Sequence, residues 1–388
     1  MNELTWVEIS KKALENNIHQ FRELIGDKRI LCPCVKSNAY GHGLTETAKI
    51  FLESGANWLS VNSLYEAVEL RKNGIDCPIL ILGYVPLESL KKVVEIEARM
   101  IVYNRETIER LNKEAVDLGK KAKIHIKIET GNNRQGVLLE ELADFAKYVQ
   151  GFSNIEIEGM STHFANIEDT TDHSYARTQI EKFLNAEKIL NEIGINIQIK
   201  HCANSAATIL FPETHFDLVR VGIASYGMWP SKETYVSYRA NELAHEGKRD
   251  MCLGFELTPA FTWKAKIAQI KKIPADEYIG YGCTYKTSHE TKLAILPIGY
   301  YDGYDRGISN GYVLIHGKRA FLRGRVCMNI IMVDVTDIPE AKLEDEAILI
   351  GASGEEMISA EQFASWAGTI NYEATTRIND RITRVIVS

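Results

Sequence analysis

The sequence predicts an α/β protein: a (β/α)8 barrel of the TIM type followed by a mostly β domain. Three observations carry that expectation. Between residue 28 and about residue 223, short apolar runs alternate with amphipathic segments, and there are eight such runs. Strand–helix alternation gives parallel strands, and eight repeats close into a barrel. The runs read as near-continuously apolar, as strands covered on both faces are. After about residue 235 the alternation stops, and apolar runs punctuated by Gly and Asp take over. A chain of 388 residues is too long for one small core, so two domains are expected. The barrel is assigned to 10–235, and the β domain to 250–388 together with a strand at 1–9.

Taken in order, residues 5–9 alternate in polarity and predict a strand that joins the β domain. The eight barrel runs are 30–35, 58–61, 79–82, 100–102, 124–128, 155–160, 197–202 and 218–221. Helical spacing of apolar residues recurs between them at 44–52, 63–72, 87–94, 106–118, 138–148, 175–193 and 204–210. An open doubly wound sheet is the runner-up, but no Gly-x-Gly-x-x-Gly follows the first strand. Residues 231–252 are polar and predict a loop. Strands are expected at 260–270, 292–297, 312–315, 320–322, 326–335 and 347–350, and a short helix at 359–366.

Composition narrows the function class. Hydrophobic content of 45% and charged content of 25% fit a soluble globular protein. A net charge of −7 argues against nucleic acid or an acidic membrane surface as a partner. No apolar stretch approaches a membrane span, and the first residues lack the pattern of a signal peptide. Seven cysteines without regular spacing point to a reducing compartment, hence the cytoplasm. Cys32 and Cys34 read as small core residues. His201, Cys202 and Cys327 lack the Cys-x-x-Cys pair of a zinc site, so no metal is expected.

In such barrels catalytic groups sit at the C-terminal ends of the strands. Those positions hold Lys36 and Tyr40 after the first strand, and Lys127 with the 130–134 loop and Arg134 after the fifth. His163 follows the sixth, His201, Asn204 and Ser205 the seventh, and Arg220, Gly222 and Ile223 the eighth. A charged amine such as Lys36 at the end of a buried strand is costly unless paired, neutralised or used covalently. Each residue has a plainer reading: Lys36 a solvated strand exit, Arg134 a solvated loop residue, His163 a satisfied core histidine. Their joint appearance at strand ends favours a site. Barrels often bind phosphate through the loops after strands seven and eight. There Ser205 offers a hydroxyl at a helix start, and Gly222 lets backbone N–H groups approach an anion.

The motif Val-Lys-Ser-Asn-Ala-Tyr-Gly-His-Gly at 35–43 closely resembles the cofactor-lysine motif of the alanine racemase family, fold-type III enzymes using pyridoxal 5'-phosphate. Further matches follow in order. They are Lys-Ile-Glu-Thr-Gly-x-x-Arg (127–134), Thr-His-Phe-Ala (162–165), His-Cys-Ala-Asn-Ser-Ala-Ala (201–207) and Arg-Val-Gly-Ile-Ala-x-Tyr-Gly (220–227). Tyr-Gly-Cys-Thr-Tyr (281–285), Pro-Ile-Gly-Tyr-Tyr-Asp-Gly (297–303), Gly-Arg-Val-Cys-Met-Asn (324–329) and Thr-Ile-Asn-Tyr-Glu (369–373) complete the series. The resemblance implies that Lys36 carries the cofactor as a Schiff base and is one catalytic base. Tyr281, from the partner subunit of a head-to-tail homodimer with shared active sites, is the other. It further implies that Arg220 faces the pyridine nitrogen and that His163 links Arg220 towards Tyr281. Tyr40, Asn204, Ser205, Gly222 and Ile223 would hold the cofactor, chiefly its phosphate. Arg134, Tyr300 and the Met328 backbone would receive a small amino-acid substrate, and Lys127 aligns with a lysine often carbamylated in the family.

The chain departs from the family where Ile-Ser-Tyr-Arg is usual: it has Ile378-Asn379-Asp380-Arg381. Cys-Met-Asn (327–329) also replaces Cys-Met-Asp, and Asn132-Asn133 replaces Met-Gly. Losing the tyrosine adds volume, and Asn379 facing inward would add an amide suited to a hydroxymethyl group. In this the chain resembles the racemase domain of the VanT-type serine racemases of vancomycin resistance, in which a membrane domain precedes the racemase domain. The expectation is a racemase acting on serine and alanine, its D-amino acid serving peptidoglycan precursors. The alternatives are an ordinary alanine racemase or a non-catalytic cofactor-binding barrel protein.

Overall fold

The computed structural model describes residues 3–244 and 254–388. The chain forms two compact units. One comprises Ala13–Ala39 and Leu44–Thr258, the other Met1–Lys12, Tyr40–Gly43 and Pro259–Ser388.

After β1 (Thr5–Ser10), the first unit carries β2 (Ile30–Leu31), β3 (Leu59–Val61), β4 (Ile79–Ile81), β5 (Arg99–Val102), β6 (Ala122–Lys127), β7 (Ile155–Ser161), β8 (Ile199–His201) and β9 (Leu218–Val219). Strands β3 to β8 form one parallel sheet in chain order, and β2 pairs β9 in parallel. Shorter ladders close the ring. Cys34 bridges Ser60 beside β3, and Arg220 N–H donates to Ala203 O at 3.0 Å beside β8. The predicted run 30–35 is regular only at Ile30–Leu31, because Pro33 has no N–H for a ladder.

Helices follow the strands with buried residues on one stripe. Arg105–Asp117 buries Thr107, Ile108, Leu111 and Ala115, and Asn104 caps it by accepting from Thr107 N–H. Leu64–Lys72 opens with a capping box between Ser63 and Glu66. Two helices differ from expectation. Lys11–Ile25 buries Leu14, Asn17, Ile18, Phe21 and Ile25, a helical spacing that was read only from residue 28 onwards. Lys232–Ala244 occupies most of the predicted 231–252 loop, whose remainder lies outside the described residues.

The expectation of near-continuous apolar strands holds for β3 and β4 but not for β6. There Lys123, His125 and Lys127 alternate with Ile124, Ile126 and Ile128, so the barrel interior has a polar face.

The second unit is a ten-stranded, mainly antiparallel sheet. Its strands are β10 (Phe261–Lys266), β11 (Gln269–Ile273), β14 (Thr291–Leu296), β15 (Tyr312–Ile315), β16 (Lys318–Leu322), β17 (Ile331–Asp334), β18 (Glu346–Ser353), β19 (Glu356–Ile358) and β20 (Thr383–Val387), with β1 between β10 and β20. The small hairpin β12 (Tyr278–Ile279) and β13 (Tyr285–Lys286) stands apart from this sheet. The predicted 260–270 strand splits because Ile267 N–H bonds Asp345 O while Ala268 N–H bonds Ile295 O. Trp263, Tyr304 and Phe363 form the aromatic core, with Phe363 at 6.0 Å from Trp263 and 5.3 Å from Tyr304. Helix Ala360–Ala367 starts where Ser359 Oγ accepts from Gln362 N–H. Helix Asn371–Thr376 was not predicted.

Candidate active site

Lys36 leaves the barrel mouth on an unusual turn. Ser37, Asn38, Ala39 and Tyr40 have φ of 55°, 54°, 52° and 54°, a run of left-handed backbone without glycine. Such a residue costs roughly 1–2 kcal/mol in a left-handed helix, so a run of them must be held by its surroundings. Glu66 is one holder. Its Oε1 accepts from Ser37 N–H at 2.5 Å, while its Oε2 accepts from Asn62 N–H at 2.9 Å and Ser63 N–H at 3.0 Å. Asn38 Oδ1 accepts from Leu44 N–H at 2.8 Å. Tyr40, buried with its ring 6.1 Å from Tyr372, belongs to the β unit rather than to the barrel. So does Gly41, where a Cβ would stand 2.2 Å from Thr375 O.

The barrel mouth gathers cationic and imidazole groups. Lys127 is buried, and its amine is held well below the usual lysine range, first by burial and then by the charges of Arg220 and Arg134. Burial also keeps the His163 imidazole neutral, helped by Lys127, Arg220, Arg134 and Lys36. Arg134 is exposed on a loop shaped by Glu129. Burial would raise that carboxyl, but backbone N–H groups of Asn133, Gly131, Asn132 and Arg134 outweigh it and hold the carboxyl below its usual range. Arg220 is buried and, among the described residues, bonds only neutral acceptors: His201 Nδ1, Thr162 O at 2.9 Å and Cys202 O at 3.3 Å. Arg220 acts on His163 through its charge, and its guanidinium bonds His201.

The loops after β8 and β9 meet at one hydroxyl. Ser205 Oγ accepts from Gly222 N–H at 2.8 Å and from Ala224 N–H at 3.4 Å. Its own hydrogen remains to donate. Asn204 caps the helix Ser205–Leu210 through Ala207 N–H at 3.0 Å and donates to Glu168. Ile223 begins the short turn Ile223–Tyr226 beside them.

The remaining predicted residues lie in the β unit. Tyr281 opens a single turn and is 68% exposed, and Met328 is 56% exposed, so this chain alone buries neither. Tyr300 N–H donates to Cys327 O and Tyr301 N–H to Met328 O at 3.0 Å, which places Tyr300 beside Met328. Asn379 is half-buried and Asp380 exposed. The Asn379 amide is engaged within its own neighbourhood: Nδ2 donates to Tyr301 O at 3.1 Å and Oδ1 accepts from Arg381 N–H at 3.0 Å.

Sequence reasoning missed Glu66, His125 and Glu158. Glu66 was legible as the fourth residue of a Ser-x-x-Glu cap, though not as a holder of Ser37. His125 and Glu158 lie inside the barrel below the mouth, where strand-end reading does not look.

Three kinds of comparison bear on identity. The family pattern "Alanine racemase, N-terminal domain" matches residues 9–230, and "Alanine racemase, C-terminal domain" matches 260–386. The chain is 42% identical to the alanine racemase of Methanococcus maripaludis over 98% of both chains, and 40% identical to that of Leptospira interrogans over 99% of this chain and 96% of the other. The crystal structure of alanine racemase from Bacillus anthracis with bound L-Ala-P superposes with a TM-score of 0.91 at 36% identity, covering 100% of this chain and 96% of that one. These relatives are named alanine racemases and not serine racemases, so they lend no support to the expected nearness to the vancomycin-resistance group. With both family patterns and full-length relatives in agreement, the chain belongs to the alanine racemase family.

Proposed function

We propose that this chain is an alanine racemase that works as a homodimer on pyridoxal 5'-phosphate, the cofactor of the family's enzymes. The observation that carries it is the barrel mouth: Lys36 on its left-handed turn, the Ser205–Gly222 hydroxyl cradle, and a buried Arg220 with no carboxylate partner among the described residues. A buried cation bonded only to neutral acceptors suits an anionic or electron-rich ligand. Ser205, Gly222, Ile223, Asn204 and Tyr40 would hold the phosphate end, and Arg220 the ring nitrogen. Bound there, the cofactor would withdraw electrons from the substrate Cα.

The chain's own residues would do the rest. Lys36 would hold the cofactor and exchange a proton on one face of Cα, and Tyr281 of the partner subunit would do so on the other. Two bases on opposite faces are what inversion needs. The exposure of Tyr281 and Met328 in one chain supports a site completed by a second copy. Arg134, Tyr300 and the Met328 backbone would orient the substrate carboxylate. Lys127, an amine held well below the usual lysine range chiefly by burial, would add in its unprotonated form to carbon dioxide with loss of one N–H proton. The resulting carboxylate would sit between Arg134 and Arg220. The barrel domain is assigned to 10–235, and the β domain to 250–388 with the strand 1–9, the latter serving the partner's site. No metal takes part in this reading. Among the described residues six cysteines are free, which supports a cytoplasmic setting, and no described helix is long and apolar enough to cross a membrane.

A second reading, turnover of serine as well, rests on Asn379-Asp380 in place of the family's Ser-Tyr. The added volume favours it, but the engaged Asn379 amide does not, so alanine is the primary substrate. The D-amino acid would then supply peptidoglycan precursors, and a link to vancomycin resistance goes only with the serine reading. The test is the initial rate of optical inversion of L-alanine and L-serine with added cofactor, for the parent and Lys36→Ala. Loss of activity and of reducible cofactor labelling in Lys36→Ala is expected. A parent inactive on both amino acids would refute the proposal, and so would an active Lys36→Ala. A non-catalytic barrel would bind cofactor and leave both amino acids unchanged.

A further inference from the structure

Beneath the mouth, the barrel interior holds a hydrogen-bonded series that the proposed chemistry does not use. Arg220 Nη1 bonds His201 Nδ1. His201 Nε2 lies 2.8 Å from His125 Nδ1, and His125 Nε2 lies 3.2 Å from Glu158 Oε2. Both imidazoles are fully buried. At the far end Glu158 is gripped by Lys123 Nζ at 2.8 Å and Arg99 Nε at 3.2 Å.

The chemistry of the two ends dictates every proton between them. A guanidinium can only donate, so His201 Nδ1 accepts and carries no hydrogen. The His201 proton is therefore on Nε2 and points at His125 Nδ1, which must accept. The His125 proton is then on Nε2 and points at Glu158, an ionised carboxylate that can only accept. One further proton on either ring would set two N–H groups face to face. Burial opposes it as well, holding His201 and His125 below the usual histidine range. The series thus has one direction, from Arg220 to Glu158.

The backbone makes room for it. A Cβ at residue 159 would lie 2.5 Å from His125 Nδ1 and 2.7 Å from Ile199 O, so β7 admits the His125 ring only through Gly159. The β6–β7 register shifts between Ile124 and His125, as an irregularity that re-aims a side chain does. A solvated or purely space-filling pair of histidines requires none of this.

We propose that Glu158, through His125 and His201, is a positioning residue for Arg220. It is the countercharge that fixes the guanidinium at the barrel mouth although no carboxylate touches it. Hydrogen bonds in series polarise one another, so negative charge at Glu158 makes His201 Nδ1 a stronger acceptor. The inference rests on the proposed function only for what Arg220 faces; the proton pattern stands without it.

Two variants and two readouts test it. Glu158→Gln keeps an acceptor for His125 and removes the charge, and His125→Gln interrupts the series. The first readout is nitrogen-15 NMR of the imidazoles in protein free of cofactor. Both rings are expected neutral with the proton on Nε2, and His125→Gln should change the His201 signals. A protonated ring, or a proton on Nδ1, near neutral pH in the parent would overturn the wiring. The second readout is the visible absorbance of reconstituted protein with kcat and KM. In both variants the absorbance should shift and kcat should fall roughly tenfold with KM little changed, as loss of a supporting shell does. Parent-like absorbance and kcat in a folded Glu158→Gln protein would overturn the proposal. If the parent itself neither binds cofactor nor racemises alanine, the functional reading fails, and the NMR result still decides the wiring. If His125→Gln does not fold, the isosteric Glu158→Gln decides the role.

Discussion

Glu66 is the residue on which the geometry around Lys36 can be tested most sharply. Its two oxygens divide their work. Oε1 takes the Ser37 N–H at 2.5 Å, and Oε2 takes the N–H groups of Asn62 and Ser63 at 2.9 and 3.0 Å. Glutamine has the same shape but one acceptor oxygen. In Glu66→Gln the amide must therefore present N–H to N–H on one side or the other. A hydrogen bond to a charged group is worth about 1.5–3 kcal/mol, and a helix cap about 1 kcal/mol. If the glutamine keeps the cap, the loss falls on Ser37, the first residue of the left-handed run. About 2 kcal/mol less local stability raises amide exchange by opening roughly thirtyfold. The assay is hydrogen–deuterium exchange of the peptide spanning Lys36 to Leu44 in parent and variant. Faster exchange there, with weaker retention of added cofactor, is the expected result. An unchanged exchange rate in this peptide, with the cap also unchanged, would refute the claim that Glu66 holds the turn.

Three further outcomes can be measured directly. Gly41→Ala combines a φ of 86° with a Cβ 2.2 Å from Thr375 O, so it should lower stability by about 2 kcal/mol or more in denaturant unfolding. Buried His125 and His201 stay neutral in the fold but take up a proton when unfolded. Their contribution to stability should therefore fall as pH drops below about 6.5, with a limiting slope of about 2.7 kcal/mol per pH unit for these two protons, to which His163 adds in the same direction. The contribution of Glu158 acts lower. Burial would raise its carboxyl, but His125, Lys123 and Arg99 overcome that and bring it down to about 2. Its contribution is thus complete above the ordinary carboxylate range and lost as pH falls towards about 2. Urea titrations at a series of pH values check both, and His125→Gln should flatten the upper slope. Finally, mixing inactive Lys36→Ala and Tyr281→Phe proteins should restore part of the activity once subunits exchange, while no recovery after proven exchange would count against a shared site.

The sequence made the barrel legible because strand and helix alternate with different periods, and each period survives small boundary errors. It made Lys36, His163, Ser205 and Arg220 legible because parallel strands place their ends together. The left-handed turn was hidden for a physical reason. The sign of φ leaves no trace in side-chain pattern unless glycine marks it, and Ser37-Asn38-Ala39-Tyr40 contains none. The partner chosen by Arg220 was hidden too. His163 follows β7 and His201 ends β8, and only three-dimensional register shows the guanidinium turning to His201. The helix Lys11–Ile25 was legible but lay ahead of the first barrel run, where alternation had not yet begun.

The interior of the barrel is the instructive case. A parallel strand with helices outside and neighbours across the barrel is buried on both faces, and uniform apolarity is then the default expectation. β6 breaks it with period two: Lys123, His125 and Lys127 share the face opposite Ile124, Ile126 and Ile128. Polar residues on a buried face need partners, because an unpaired polar group inside a protein is expensive. The alternation alone therefore demands acceptors on facing strands, and β7 supplies Glu158 while β8 supplies His201. Lys123 meets the carboxylate at one end of this face, and Lys127 lies at the other, near Arg220. Lys123 and Arg99 thus touch a carboxylate directly, whereas Arg220 reaches Glu158 only through two imidazoles and touches no carboxylate among the described residues. In the proposed function a carbamate on Lys127 or a substrate carboxylate would bring negative charge to the end where Lys127 and Arg220 stand, and that asymmetry favours the mouth, rather than the base, as the end that binds.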